Sequence, residues 1–301
     1  MRSLFLAALL SASLLASAKT SLVVIAHGSP RASWRQPVLA LESKIDSIVK
    51  KQGLKEISQV RVAMMEYTEP SVASVIKECE TQGADTIFAL PLFIAPSSHS
   101  EEDLPNILGL KFTPSVLEEL SEEGTTLVHS KSHIILGPTL YSTDIIERIM
   151  TNNVRRMSKD PKNEALLLLA HGDPERIGFW QMLLYRTCEY VKEATGIDYA
   201  DGELIAMGTG MDKEVLPLLD KAAKAKKRVL VQGIYLTSNI AGMAKRNKME
   251  EKQADIVKAN NAEIIYSNEG ILPNATVEVA SWIVDRTKEF LSSQKTKTTQ
   301  K

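Results

Sequence analysis

Two histidines in this chain stand at the ends of apolar runs, and the two runs are nearly the same. Ser21-Leu22-Val23-Val24-Ile25-Ala26-His27-Gly28-Ser29-Pro30 returns as Leu166-Leu167-Leu168-Leu169-Ala170-His171-Gly172-Asp173-Pro174. A third, His99, follows Pro91-Leu92-Phe93-Ile94-Ala95-Pro96-Ser97-Ser98. A neutral imidazole binds divalent transition metals and, near neutral pH, accepts protons. Two strand-end histidines in one lobe can converge at its carboxyl edge, where open α/β sheets bind ligands. The other two histidines, His129 and His133, fall in what reads as a strand entry and are expected to be structural or solvent-exposed.

The elements that must hold these residues alternate strand and helix. In the first half, strands are expected at 21–26, 60–65 and 86–94 and within 125–135, with helices at 36–52, 71–81 and 142–157. Residues 101–108 read as a short helix or turn. The second half repeats the order: strands at 166–170, 202–207, 228–236 and 263–266, helices at 179–195, 213–224, 244–260 and 276–291. This alternation predicts an α/β chain of two similar lobes, each a parallel sheet flanked by helices. The boundaries follow: a lobe at 19–157, a linker around 157–163, a second lobe at 158–291, and a polar, disordered tail at 292–301.

Residues 1–18 read as a signal peptide. Arg2 is a positive start, residues 4–15 are apolar with small serines, and Ala16-Ser17-Ala18 is a cleavage pattern. The expected location is therefore outside the cytoplasm, and no later run is long and uncharged enough to span a membrane. The formal net charge of −1 carries no concentrated basic face, which argues against a nucleic-acid partner. Two cysteines, Cys79 and Cys188, are too few for a disulfide scaffold; they read as one buried free thiol per half, or a single bridge in an oxidising compartment.

The start at His27-Gly28-Ser29 and the segment Pro91-Leu92-Phe93 to His99 and Asp103-Leu104-Pro105 together resemble the CbiX/SirB-type sirohydrochlorin chelatases, class II enzymes that insert cobalt, nickel or iron into a tetrapyrrole. Glu66-Tyr67-Thr68-Glu69-Pro70-Ser71 resembles the family's stretch between the two histidine segments. The resemblance covers most of the chain after residue 18, as a duplicated chelatase domain. It implies a bilobal, chelatase-like fold, with His27 and His99 as metal ligands and bases. Glu66 would be either a third ligand or a hydrogen-bonding surface residue. The divalent metal is a substrate, Co2+ first and Ni2+ or Fe2+ as alternatives, with no organic cofactor. Sirohydrochlorin carries many carboxylates. Ser29, Arg31, Arg35, Ser97, Ser98 and His171 are candidates to bind it, with Lys245 and Arg246 further off; the arginines read equally well as solvated charges. The family's work is generally cytoplasmic, so an exported relative is unusual; a bacterial periplasm rather than eukaryotic secretion is the expected compartment, by resemblance only.

Two departures from the family stand out. The family usually has a glycine shortly before its second histidine, where this chain has Ser97-Ser98, and the loop backbone is expected to change accordingly. The second half's counterpart of the His99 loop, residues 233–243, holds no histidine. His171 therefore reads as a relic of duplication, or else joins His27 and His99 across the cleft. A binding protein for metal or tetrapyrrole is the competing reading. A phosphate-handling hydrolase is the weakest, since no G-x-S-x-G elbow, Walker A loop or dinucleotide-binding glycine set appears.

Overall fold

The computed structural model describes residues 19–206, 208 and 210–299; the leader expected at 1–18 lies outside them. The first half runs β1 (Thr20–Ala26), α1 (Ala32–Leu39), α2 (Leu41–Lys51), β2 (Ile57–Met64), α3 (Val72–Thr81) and β3 (Thr86–Pro91). A π-helical turn at His99–Asp103 leads into α4 (Leu104–Ile107), followed by α5 (Pro114–Glu122), β4 (His133–Leu136) and α6 (Ile145–Met157). The second half runs β5 (Glu164–Ala170), α7 (Ile177–Thr195), β6 (Tyr199–Leu204), α8 (Met211–Ala225) and β7 (Arg228–Ile234). It closes with α9 (Ile240–Arg246), α10 (Met249–Lys252), α11 (Ala254–Asn260), β8 (Glu263–Tyr266) and α12 (Thr276–Thr299).

Each half builds one four-stranded parallel sheet, ordered β2-β1-β3-β4 and β6-β5-β7-β8. β1 and β5 are buried along their whole length because helices cover both faces, so they read as continuous apolar runs. Their side chains still alternate. Leu22, Val24 and Ala26 face a core shared with Leu166, Leu168 and Ala170, while Val23 and Ile25 face an outer core under α3 and α4. The direction of strand order reverses between β1 and β3, which makes the carboxyl ends of those two strands a topological switch point. His27 and His99 emerge there.

The halves exchange their closing helices. α6 ends the first half but packs on α7 and β7, and α12 ends the second half but packs on α2. Buried Glu147 of α6 accepts a hydrogen bond from Arg186 Nε of α7 and pairs with its charge, and that guanidinium also lies 4.5 Å over the Tyr141 ring. Phe290 of α12 stacks on Phe88 of β3 with ring centroids 4.4 Å apart and planes 3° from parallel. The inner core is thus continuous across both halves.

Several elements differ from the sequence reading. The expected helix at 36–52 begins earlier and is split at Ala40, with Pro37 inside its first part. The expected helix at 244–260 is three short ones: Asn239 caps it early, accepting from the Gly242 N–H at 2.8 Å, and left-handed Lys248 turns the chain so that Met249 enters the core. α5 has no counterpart among the expected helices, because Leu120 is its one buried residue and the apolar pattern is thin. The expected disordered tail is helical as far as Thr299: no glycine or proline interrupts it, and Lys295 pairs with Glu56. Cys79 and Cys188 are both buried free thiols, and burial pushes the Cys188 thiol up to about 12. Among the described residues no helix is long and apolar enough to cross a membrane.

Candidate metal centre

His27 is the first residue after β1, and backbone geometry fixes its neighbour. The β1–β2 ladder continues beyond both strands: Met65 N–H donates to the Ala26 carbonyl at 2.8 Å and Glu66 N–H to the His27 carbonyl at 2.9 Å. Glu66 is therefore pinned beside His27 by main-chain bonds. Gly28 makes this approach feasible. Its φ is +102°, and a β-carbon there would lie 2.4 Å from the Glu66 carbonyl oxygen.

The His27 ring places Nδ1 3.1 Å from the Gly28 carbonyl. A carbonyl only accepts, so Nδ1 carries a proton, and in the neutral ring the lone pair is on Nε2. That lone pair sits 3.6 Å from Glu66 Oε1. Two acceptors facing each other at this distance are satisfied by a proton or a cation placed with them.

His99 opens the π-helical turn. Its Nδ1 bonds Asp103 Oδ2 at 2.6 Å, one helical turn on, and lies 3.9 Å from Glu66 Oε1. The His27 and His99 rings meet edge to face, centroids 4.6 Å apart. A carboxylate behind a histidine sets its tautomer and raises its basicity, an arrangement common behind metal-binding imidazoles. The hydrogen bond to Asp103 holds His99 above its ordinary pKa against the opposing effect of burial; the negative charges of Asp103, Glu66 and Asp173 add to it.

One donor atom each from His27, Glu66 and His99 lies within 4.8 Å of the others. Metal–ligand bonds of about 2.0–2.2 Å would draw donors to within roughly 4.4 Å, so the cluster is slightly open. It is also accessible, with His27 30% and His99 40% exposed at the side chain against 14% for Glu66. Three hard-to-intermediate donors in an open arrangement can hold a dication while leaving positions for another ligand.

The Ser97-Ser98 departure does not strain the loop. Ser98 sits at φ −50°, ψ −44°, ordinary helical space that serine adopts freely. Ser97 is buried and bonds reciprocally with Ser100. Ser98 gives its N–H and its hydroxyl to Asp173 Oδ2 at 2.9 and 3.1 Å. Ser29 is engaged by the segment after His27: its hydroxyl accepts from the Arg31 N–H and its carbonyl from Arg35 Nη1 at 2.7 Å. Arg31 is exposed. Tyr235 and Met243 are core residues, the Tyr235 hydroxyl donating to the Ala206 carbonyl at 2.6 Å.

His171 repeats His27 in detail, with Nδ1 2.7 Å from the Gly172 carbonyl, but its surroundings do not repeat. Ala206 N–H donates to the His171 carbonyl, as Glu66 does to that of His27. Strand register carried past β7 puts Ala241 where His99 stands, with Asn239 capping as Ser97 does. The second copy of the triad is thus His171, Ala206 and Ala241. The structure does not bring His171 into the cluster, and His129 and His133 are exposed elsewhere.

Three residues that reasoning from motifs missed come from the second half. Asp173, Trp180 and Arg176 reach across to the His99 loop: Trp180 Nε1 donates to the Pro96 carbonyl at 3.2 Å and Arg176 Nη2 to Glu102 Oε1 at 3.4 Å. The signal for Asp173 was its place in the repeat, where the first half has Ser29. Tyr67 was also missed. It is 65% exposed, has a left-handed φ of +70°, and places its ring 5.8 Å from that of His27.

A profile of the CbiX family matches residues 21–156. A sirohydrochlorin cobaltochelatase from Methanococcus maripaludis is 36% identical over 90 residues, which span 30% of this chain and 58% of that protein. Another, from Methanococcoides burtonii, is 31% identical over 94 residues, 31% of this chain and 67% of that protein. The fold resembles that of SirB from Bacillus subtilis, solved with Fe3+, at a TM-score of 0.63 and 16% identity, covering 90% of this chain and 95% of that one.

Proposed function

Because the chain belongs to the CbiX/SirB-type sirohydrochlorin chelatase family, we propose that it inserts a divalent metal, cobalt before nickel or iron, into sirohydrochlorin or a related tetrapyrrole. The observation that carries this reading is the convergence of His27, Glu66 and His99 at the switch point of the first sheet. Insertion exchanges one M2+ for two pyrrole N–H protons. The three side chains present the dication loosely, and its release to the macrocycle nitrogens frees basic atoms, His27 Nε2 and the Glu66 carboxylate among them, to take up the protons. Asp103 holds the His99 ring in place through this exchange. Arg31 and Arg35 stand on the segment directly after His27, which supports a role in meeting substrate carboxylates.

The leader pattern at 1–18 supports export, and we place the activity in a bacterial periplasm. Protein recovered from the periplasm with Lys19 as its first residue is the expected result; intact Met1 in a cytosolic fraction would overturn this placement.

The activity is tested by following the visible spectrum of sirohydrochlorin with Co2+ and the protein. Turnover above the spontaneous rate is expected, with His99→Ala lowering kcat/KM about 100-fold or more and His171→Ala changing it less than about threefold. Stoichiometric binding of metal or tetrapyrrole without turnover, by protein that is demonstrably folded, would replace the enzyme with a periplasmic binding protein.

A further inference from the structure

The second half lacks two of the three metal-handling side chains, yet its copy of the histidine motif lies against the first half's loop. Asp173 occupies the position of Ser29 in the repeat. Its carboxylate is fully used. Oδ2 accepts the Ser98 N–H at 2.9 Å and the Ser98 hydroxyl at 3.1 Å, while Oδ1 accepts the N–H groups of Glu175 and Arg176 at 2.9 and 3.0 Å. Ser98 is the residue immediately before His99.

We propose that Asp173 is a positioning residue for His99: the second copy of the motif, stripped of its own triad, clamps the loop that carries the first copy's histidine. The assignment of His99 as a metal-holding residue rests on the proposed function; the clamp itself is a matter of hydrogen bonds between the halves. Two neighbours share the load. Trp180 fixes the Pro96 carbonyl before Ser98, and Arg176 reaches Glu102 after His99, so the loop is held on both sides of the histidine. Both oxygens of Asp173 are needed, one for each half of the molecule. A serine at this position, like Ser29 with its bond to the Arg31 N–H at 3.2 Å, can serve the local turn but is too short to serve Ser98 as well.

This difference supplies the test. Asp173→Ser keeps a local cap and removes the bridge, whereas Asp173→Ala removes both. Amide hydrogen exchange is measured on full-length protein without metal, and Co2+ affinity is measured from the intensity of its visible d–d bands. In Asp173→Ser, exchange is expected to accelerate in residues 97–103 and to stay at wild-type rates in the sheets. The Co2+ dissociation constant is expected to rise about tenfold, the order lost when a residue supporting a metal ligand is removed. Asp173→Ala should show the same change in the loop with a lower thermal midpoint. Wild-type exchange in residues 97–103 of Asp173→Ser would overturn the clamp whether or not the protein binds cobalt. Faster loop exchange with unchanged Co2+ affinity would equally overturn the positioning of His99. Failure of the wild-type protein to bind Co2+ would strike the proposed function and, with it, the assignment of a metal site for Asp173 to support.

Discussion

At the scale of single residues, the candidate site depends on atoms whose roles follow from their partners. His27 must protonate Nδ1 to satisfy the Gly28 carbonyl, so Nε2 is the atom that meets Glu66. His99 is tuned by Asp103. Its raised pKa means that the imidazolium persists to higher pH than an ordinary histidine, and an imidazolium repels a dication. Co2+ binding is therefore expected to strengthen as pH rises through a midpoint above about 6.5. Asp103→Asn replaces the charged hydrogen-bond acceptor that raises the pKa, so the midpoint should move to lower pH in a binding titration; an unmoved midpoint would assign the dependence to another group. Gly28 is the residue least open to change. Gly28→Ala places a methyl group against the Glu66 carbonyl in left-handed backbone, and is expected to cost about 2–3 kcal/mol in urea unfolding and to weaken Co2+ binding as Glu66 is displaced.

Among the elements, the central strands β1 and β5 needed little inference, whereas β6, half-buried throughout, lies three residues before its expected place at 202–207. β1 and β5 are uninterrupted apolar runs that end in Ala-His-Gly, and fully buried parallel strands have no other common appearance in sequence. The helices were legible only where their apolar stripe was full. α5 buries Leu120 alone and left too thin a pattern, while α9 to α11 break at Lys248 for the sake of burying Met249, a tertiary gain that no local propensity announces. α12 is held by contacts with the other half. Phe290 is 8% exposed and stacks on Phe88, so Phe290→Ala should lower stability by about 3 kcal/mol in denaturant unfolding. A loss below about 1 kcal/mol would show that α12 does not depend on this stack.

For the molecule as a whole, exchange of α6 and α12 joins two repeats through one shared core. Residues 19–157 alone lack α12, so α2 would keep its packing on β2 but lose the helix that covers it. A fragment of those residues is expected to show no cooperative transition by circular dichroism, and to regain one when residues 158–299 are supplied in trans; a sharp transition of the fragment alone would show that each half is self-sufficient. Among the described residues of this joined molecule, one of the two switch points carries the triad. With Ala206 and Ala241 in place of Glu66 and His99, the second switch point has lost two donors, but its loop still contacts the first.

The sequence by itself determined the two parallel sheets and the strand ends at His27 and His171, because strand burial and strand-end turns leave a local pattern that can be read along the chain; it set His27 and His99 at one sheet edge, and only the resemblance to the family joined them as a pair. Glu66 beside His27 was only half legible: the sequence placed it near the end of β2, and the ladder past that strand decided where it stands. Tertiary structure alone decided that Asp173 and Trp180 brace the His99 loop and that the closing helices change halves. Those contacts join residues far apart in the chain, where no periodicity links one partner to the other, and they form only when the two sheets share a core.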